Sequence, residues 1–199
     1  MHGLGKPLKL MGAPERGSIP IYLGVGGEQT VEQAGEIADG WTPFLYCPEH
    51  AEMLNAPLLR GLARAGRKRT DVTIAPLIPA AVADDLESAR AAVRPVLTLY
   101  FGGMGSREKN FYVDLAVRYG HGASARACQS AYLDGDRTAA AAAISDELCD
   151  LVALVATPDS LPKRLRAFAE ADVDVLVLVP FGDRPALLRS VAEHLPALR

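Results

Sequence analysis

Cysteine is scarce in this chain of 199 residues: Cys47, Cys128 and Cys149 stand far apart. No C-x-x-C and no Cys/His ligand spacing occurs, so a structural zinc site is not expected, nor any other metal. An odd, sparse set suits a reducing cytoplasm better than a disulfide scaffold. Each thiol reads as a small core residue. Long apolar runs are also missing. None approaches the ~20 residues that span a bilayer. The Gly- and Pro-rich start, MHGLGKPLKLMGAPERGSIP, lacks the apolar core of a signal peptide. A cytoplasmic protein without a membrane partner is the expectation. Positive charge is not in excess either. The formal net charge is −3, and no basic stripe is interleaved with aromatics, so no nucleic-acid partner is expected.

Hydrophobic residues make up 49% and charged residues 23%, a globular balance in a chain long enough for a sizeable core. Four apolar runs, at 19–25, 40–46, 72–82 and 173–179, read as strands. Being continuous and not alternating, they suit a parallel sheet buried on both faces. Helical patterns lie between them. Val31, Ala34, Gly35 and Ala38 put small residues on one helix face, able to pack closely on a sheet. Leu86, Ala89, Val93 and Leu97 share a face behind a capping Asp85. Thr157 with Pro158 predicts the start of a helix carrying Leu161, Leu165 and Phe168. A last helix from near Pro185 buries Leu187, Leu188, Val191 and Leu195. Strands alternating with helices imply an α/β fold of βαβ units. The stretch 102–156 breaks the rhythm and reads as helical throughout, an insertion before the last strand. No domain boundary interrupts residues 1–199.

The first strand runs into Gly24, Gly26 and Gly27, and a helix follows at once. That order aims free backbone N–H groups and a positive helix end at one point. Glycine lets an anion approach without a Cβ in the way. Thr30, in the first turn, adds a hydroxyl. The physical reading is a phosphate site, provided that Glu28 faces away. Spacing alone leaves open a tight turn with no ligand.

The segment IPIYLGVGGEQTVEQAGEIADGW resembles the fifth strand and the start of the sixth in luciferase-like oxidoreductases. That superfamily includes bacterial luciferase and methylenetetrahydromethanopterin reductase. FGGMGSREKNFYVDLAVRYG, VDVLVLVPFGD and the opening GLGKPLKL resemble further segments of its deazaflavin branch, which uses coenzyme F420. The resemblance implies part of a (β/α)8 TIM barrel: about four βα units, strands five to eight. It implies a hydride-transferring oxidoreductase acting on a small organic molecule, with F420 as cofactor and FMN as the alternative. By that likeness Gly24, Gly26, Gly27 and Thr30 form the cofactor site: Gly26, Gly27 and Thr30 hold the phosphate, and Gly24 lets the strand end turn toward it. Trp41, Pro43 and Phe44 fall at the mouth of the next strand, and Phe181 and Gly182 at the mouth of the last, where the family places its substrate pocket. The first four strands of the family have no counterpart here, and no catalytic residue is assigned. Two other readings stay open. One is a non-catalytic half barrel that binds cofactor, or closes as a homodimer or with a separate amino-terminal half. The other is a doubly wound, flavodoxin-like module using the same loop.

The remaining candidates carry blander readings. His50, His121 and His194 form no ligand pair and sit at helix ends or turns. Asp39 precedes a strand in a turn, and Asp84 and Asp85 read as a cap. Ser106, Arg107 and Lys109 follow GGMG and are placed to meet an anionic cofactor tail or simply to face solvent. Ser160 lacks a nucleophile motif, and Met104 carries none.

Overall fold

In the computed structural model, residue 12 and residues 15–194 are described, and they form six strands and nine α-helices. The linker-like GLGKPLKL and Leu195 lie outside them. In chain order the elements are β1 (Tyr22–Leu23), α1 (Glu28–Ile37), β2 (Gly40–Trp41), α2 (Ala51–Arg64), β3 (Thr73–Ile74) and β4 (Leu77–Val82). There follow α3 (Leu86–Gly103), α4 (Phe111–Arg118), α5 (Gly122–Leu133), α6 (Arg137–Ala142) and α7 (Asp146–Val152). Last come β5 (Leu154–Ala156), α8 (Leu161–Glu170), β6 (Val177–Pro180) and α9 (Arg184–His194).

The strands form two parallel three-stranded sheets, ordered β1-β2-β3 and β5-β4-β6. β3 and β4 are two parts of one expected run. The break comes at Pro76, which has no N–H for the ladder. Bonding continues across it: the Ala75 N–H donates to the Trp41 carbonyl (2.8 Å), and the Val177 N–H donates to the Pro76 carbonyl (3.0 Å). Phe44 bridges to Leu77, linking the sheets. The third run therefore lies between the second and the fourth.

Side chains alternate across this sheet as a pleat requires. Trp41, Ile74, Ile78, Ala80 and Val82 point to one buried face, where they pack with α1, α2 and α8. Ala81, Leu45 and Val155, at the carboxyl ends of the strands, join the separate core of α3 to α7. The stretch 102–156 was expected to be helical throughout, and here the structure differs. Its last three residues form β5, which pairs with β4 at Ala80–Val82. The apolar run of α7 continues into β5 without a polar break, so periodicity could not separate the two.

Two helix starts contrast. Asp85 caps α3 as expected, its carboxylate accepting from the Ser88 N–H at 2.8 Å. At α8 the regular helix begins at Leu161, after a turn at 158–160, with Ser160 at the cap position and Pro162 in its first turn. Thr157 caps that turn as expected: its hydroxyl accepts from the Ser160 N–H, the Ser160 hydroxyl accepts from the Thr157 N–H, and the Leu161 N–H donates to the Thr157 carbonyl at 3.0 Å. Leu86 and Leu188, expected on buried faces, are exposed; Ala89, Val93, Leu97 and Leu187 are buried.

The small face of α1 meets α2 as well as the sheet. A Cβ on Gly35 would overlap the Leu58 carbonyl, and one on Gly61 would overlap the Glu32 carbonyl, so the two backbones touch. Arg60 and Arg64 of α2 pair with Glu28, Glu32 and Glu36 of α1 across this seam. Intrinsic helix propensity favours alanine over glycine by about 1 kcal/mol. Gly61→Ala nevertheless destabilises the fold, by about 1–3 kcal/mol from overpacking, read as a lower urea midpoint. A raised midpoint contradicts the close packing of α1 on α2.

Candidate functional site

The glycine loop runs from the end of β1 to the start of α1. It is held from behind: the buried Trp41 indole Nε1 donates to the Val25 carbonyl at 2.8 Å. Gly27 stands at the cap of α1 in an extended conformation, and no side chain caps the helix. The first N–H groups of α1 consequently lack a side-chain acceptor. The Thr30 hydroxyl turns back and donates to the Gly27 carbonyl at 2.8 Å. Glu28 is drawn sideways to Arg60 at 2.6 Å. The acidic residue at the loop therefore has a cationic partner on α2.

Gly24, Gly26, Trp41, Pro43 and Phe44 line one cavity of about 130 Å³. Gly27 and Thr30 adjoin it without lining it. Phe181 is not brought to it. Its N–H donates to the Ala80 carbonyl, and its ring packs against the α3–α7 core. The far wall comes from α4, through Phe111, Tyr112 and Tyr119. A Cβ on Gly26 would overlap the Phe111 ring, so the ring lies directly on the glycine. These α4 residues were missed in the sequence, where FYVDLAVRY reads only as a helix. Their placement depends on buried Asn110. Its side chain caps α4 by accepting from the Tyr112 and Val113 N–H groups, and it donates to the Phe101 carbonyl at 2.9 Å.

Aromatic contacts continue outward from the cavity. Phe44 lies 4.3 Å from Tyr100 between ring centroids, and Tyr100 meets Tyr112 edge-on at 4.8 Å. Behind them Leu45 has φ +56°, an uncommon conformation for a bulky residue. Tyr119 holds it there by donating its hydroxyl to the Leu45 carbonyl at 3.0 Å. Burial pushes the Tyr119 phenol far up, the Tyr112 phenol up, and the Tyr46 phenol up to about 12. All three stay neutral at neutral pH. Glu28 and Arg118 are the charged residues lining the cavity. The arrangement is suited to binding and orienting a ligand more than to moving protons.

The other candidates fall elsewhere. His50 stacks on Tyr119 with centroids 5.0 Å apart. His121 precedes α5, and His194 bonds the Ser190 carbonyl through Nδ1. The Asp39 carboxylate, just before β2, accepts from the Ile21 N–H, just before β1, at 2.8 Å. Arg107 pairs with Asp134, and the Ser106 hydroxyl accepts from the Lys109 N–H. Among the described residues no group of His, Cys, Asp and Glu is arranged to hold a metal, and no helix is long and apolar enough to cross a membrane.

Residues 6–174 match the model of a family described as luciferase-like monooxygenase. A Mycobacterium tuberculosis protein named as a coenzyme F420-dependent oxidoreductase is 38% identical over 178 residues, 88% of this chain and 51% of its own. The 5,10-methylenetetrahydromethanopterin reductase of Archaeoglobus fulgidus is 29% identical over 163 residues, 81% of this chain and 48% of its own. The coenzyme F420-dependent tetrahydromethanopterin reductase of Methanopyrus kandleri shares the fold with a TM-score of 0.76 at 22% identity, over 91% of this chain and 51% of its own. The chain thus spans about half the length of the relatives that it matches.

Two outcomes follow from this geometry. Trp41→Phe removes the only indole N–H and leaves the Val25 carbonyl without it. Thermal or urea unfolding should register a loss of about 0.5–1.5 kcal/mol; unchanged stability contradicts a supporting role for that bond. The thiols supply the second. Burial pushes Cys47 and Cys149 up to about 12 and Cys128 up to about 11, from an ordinary value of 9.0. The folded state therefore favours the protonated thiol, and that contribution is complete below pH 9. It is lost as pH rises from 9 towards 12. A falling urea midpoint across that window, with thiols that react with a disulfide reagent only after unfolding, is the expected result.

Proposed function

Because the chain belongs to the luciferase-like monooxygenase family, we propose that it is the carboxyl-terminal part of a coenzyme F420-dependent oxidoreductase. FMN is the alternative cofactor, and the substrate is a small organic molecule. Its strands are strands five to eight of the family barrel, about four βα units, with 102–156 as an insertion closed by β5. The observation that carries the reading is the start of α1. It has no side-chain cap, Gly27 precedes it, and the Glu28 carboxylate is paired with Arg60. Among the described residues, the one side-chain atom within 4 Å of a Cβ built on Gly27 is the Thr30 hydroxyl, at 3.4 Å. A phosphate-sized group fits there, against the positive helix end.

The names of the relatives support F420 as the ligand. When bound, such a cofactor supplies the hydride chemistry, and the protein supplies position and surroundings. Gly27 and the first turn of α1 hold the phosphate, with Gly24 and Gly26 letting the loop turn. Trp41 fixes the loop and lines its cavity. Pro43 and Phe44 form an apolar wall of the substrate pocket, which Phe181, packed against the α3–α7 core, does not reach. The buried, protonated thiols fit a reducing compartment such as the cytoplasm.

The test is a fluorescence titration with F420 and with FMN, comparing the native chain with Gly27→Glu. The carboxylate stands where the phosphate is placed, so binding weakens at least about tenfold, or 1.4 kcal/mol, with helix content unchanged. Equal affinity in both proteins overturns the assignment.

A further inference from the structure

One face of α4 lines the cavity beside the glycine loop. Phe111, Leu115 and Arg118 fall at i, i+4 and i+7, with Tyr112 and Tyr119 beside them. Val113 and Ala116 belong to the core of α3 to α7 instead. The rise of the helix sets Phe111 and Arg118 about 10 Å apart. Along α4, Phe111 covers Gly26 at one end of the cavity wall, and Arg118, in the last turn, stands at the other.

Three of the aromatic walls have their polar atoms engaged already. The Trp41 indole donates to the Val25 carbonyl, the Tyr46 hydroxyl to Asn55 Oδ1, and the Tyr119 hydroxyl to the Leu45 carbonyl. What these rings offer a ligand is apolar surface. The charged lining residues are Glu28 and Arg118. Glu28 is paired with Arg60 at 2.6 Å. Arg60, Arg90, Arg94 and Arg164 are each tied to a carboxylate, whereas Arg118 takes part in no ion pair among the described residues. Arg118 is exposed as well as lining the cavity, which puts it at the mouth.

Size and charge together define what fills this space. The cavity holds about 130 Å³. An apolar cavity of about 150 Å³ takes up benzene, so one ring or a short branched chain is the body that fits. The guanidinium at the mouth is a planar fork of donors that matches a carboxylate.

We propose that Arg118 determines specificity in this cavity, and that the ligand is a small organic acid, with a single ring or short chain against Trp41 and Phe44 and its carboxylate on Arg118. This rests on reading the cavity as the substrate pocket, and it names the class of substrate. An arginine in the last turn also suits the negative end of α4. That role affects stability and does not select one ligand over another.

Benzoate and benzamide test it, since they share a ring and nearly a shape but differ in charge. Trp41 is the single tryptophan and lines the cavity, so its fluorescence reads occupancy. At low salt the native chain binds benzoate at least about fivefold more tightly than benzamide. Arg118→Gln brings the two affinities together, Arg118→Lys keeps part of the difference, and the affinity for benzamide is the same in all three proteins. Equal affinities in the native chain, no saturable binding of benzoate, or a preference that survives Arg118→Gln overturns the proposal. A preference lost in Gly27→Glu but kept in Arg118→Gln puts the anion at the start of α1, and overturns it too. Binding of F420 without the benzoate preference overturns this proposal alone. The preference, abolished by Arg118→Gln, in a chain that binds neither F420 nor FMN overturns the cofactor reading alone.

Discussion

One hydrogen bond, from the Trp41 indole to the Val25 carbonyl, joins the core of the protein to its glycine loop. Trp41 lies between the sheet and the layer of α1 and α2, where it cannot be displaced without opening that core. The bond sets the path of the chain just before Gly26 and Gly27, and so the direction in which α1 begins. The close approach of α1 to α2, which Gly35 and Gly61 permit, fixes the helix from its other side. The same seam carries Arg60, which pairs with Glu28 beside the loop. Packing, charge and loop geometry are therefore consequences of one arrangement.

Much of this was legible in the sequence. The four apolar runs were, because strands covered by helices leave few polar residues to confuse the pattern. The turn from the first strand into α1 was, because three close glycines separate an apolar run from an amphipathic helix, although spacing alone does not say whether it holds a ligand. The cap at Asp85 was, because it needs only residues three positions apart. Other features depend on distant partners. Trp41 looked like a residue at a pocket mouth, and its attachment to Val25 depends on how two strands are paired. β5 is too short, and too continuous with α7, to leave a period of its own. Thr157 and Pro158 do form a capped turn with Ser160, but Pro162 has no N–H to bond back to residue 158, and the regular helix starts only at Leu161.

The α4 wall shows where sequence reasoning loses sight of the site. Phe111 comes from a helix more than eighty residues beyond the loop that it covers. Its position follows from Asn110, which ties the end of α3 to the start of α4. No local pattern announces that link. The consequence is chemical: the ring makes the Gly26 side of the loop apolar and leaves Gly27 and the first turn of α1 as the polar side. Ring packing at Gly26 and uncapped helix N–H groups at Gly27 thus lie side by side.

The central claim is that the start of α1 is a phosphate cradle. Nitrogen-15 chemical shifts of the backbone amides, followed as F420 is added to the labelled native chain, test it most directly. The account predicts the largest changes at Gly27, Glu28, Gln29 and Thr30, with smaller ones at Gly26 and the Trp41 indole. Saturable binding that leaves those four amides unmoved, with changes confined to α5, α6 and α7, would contradict it.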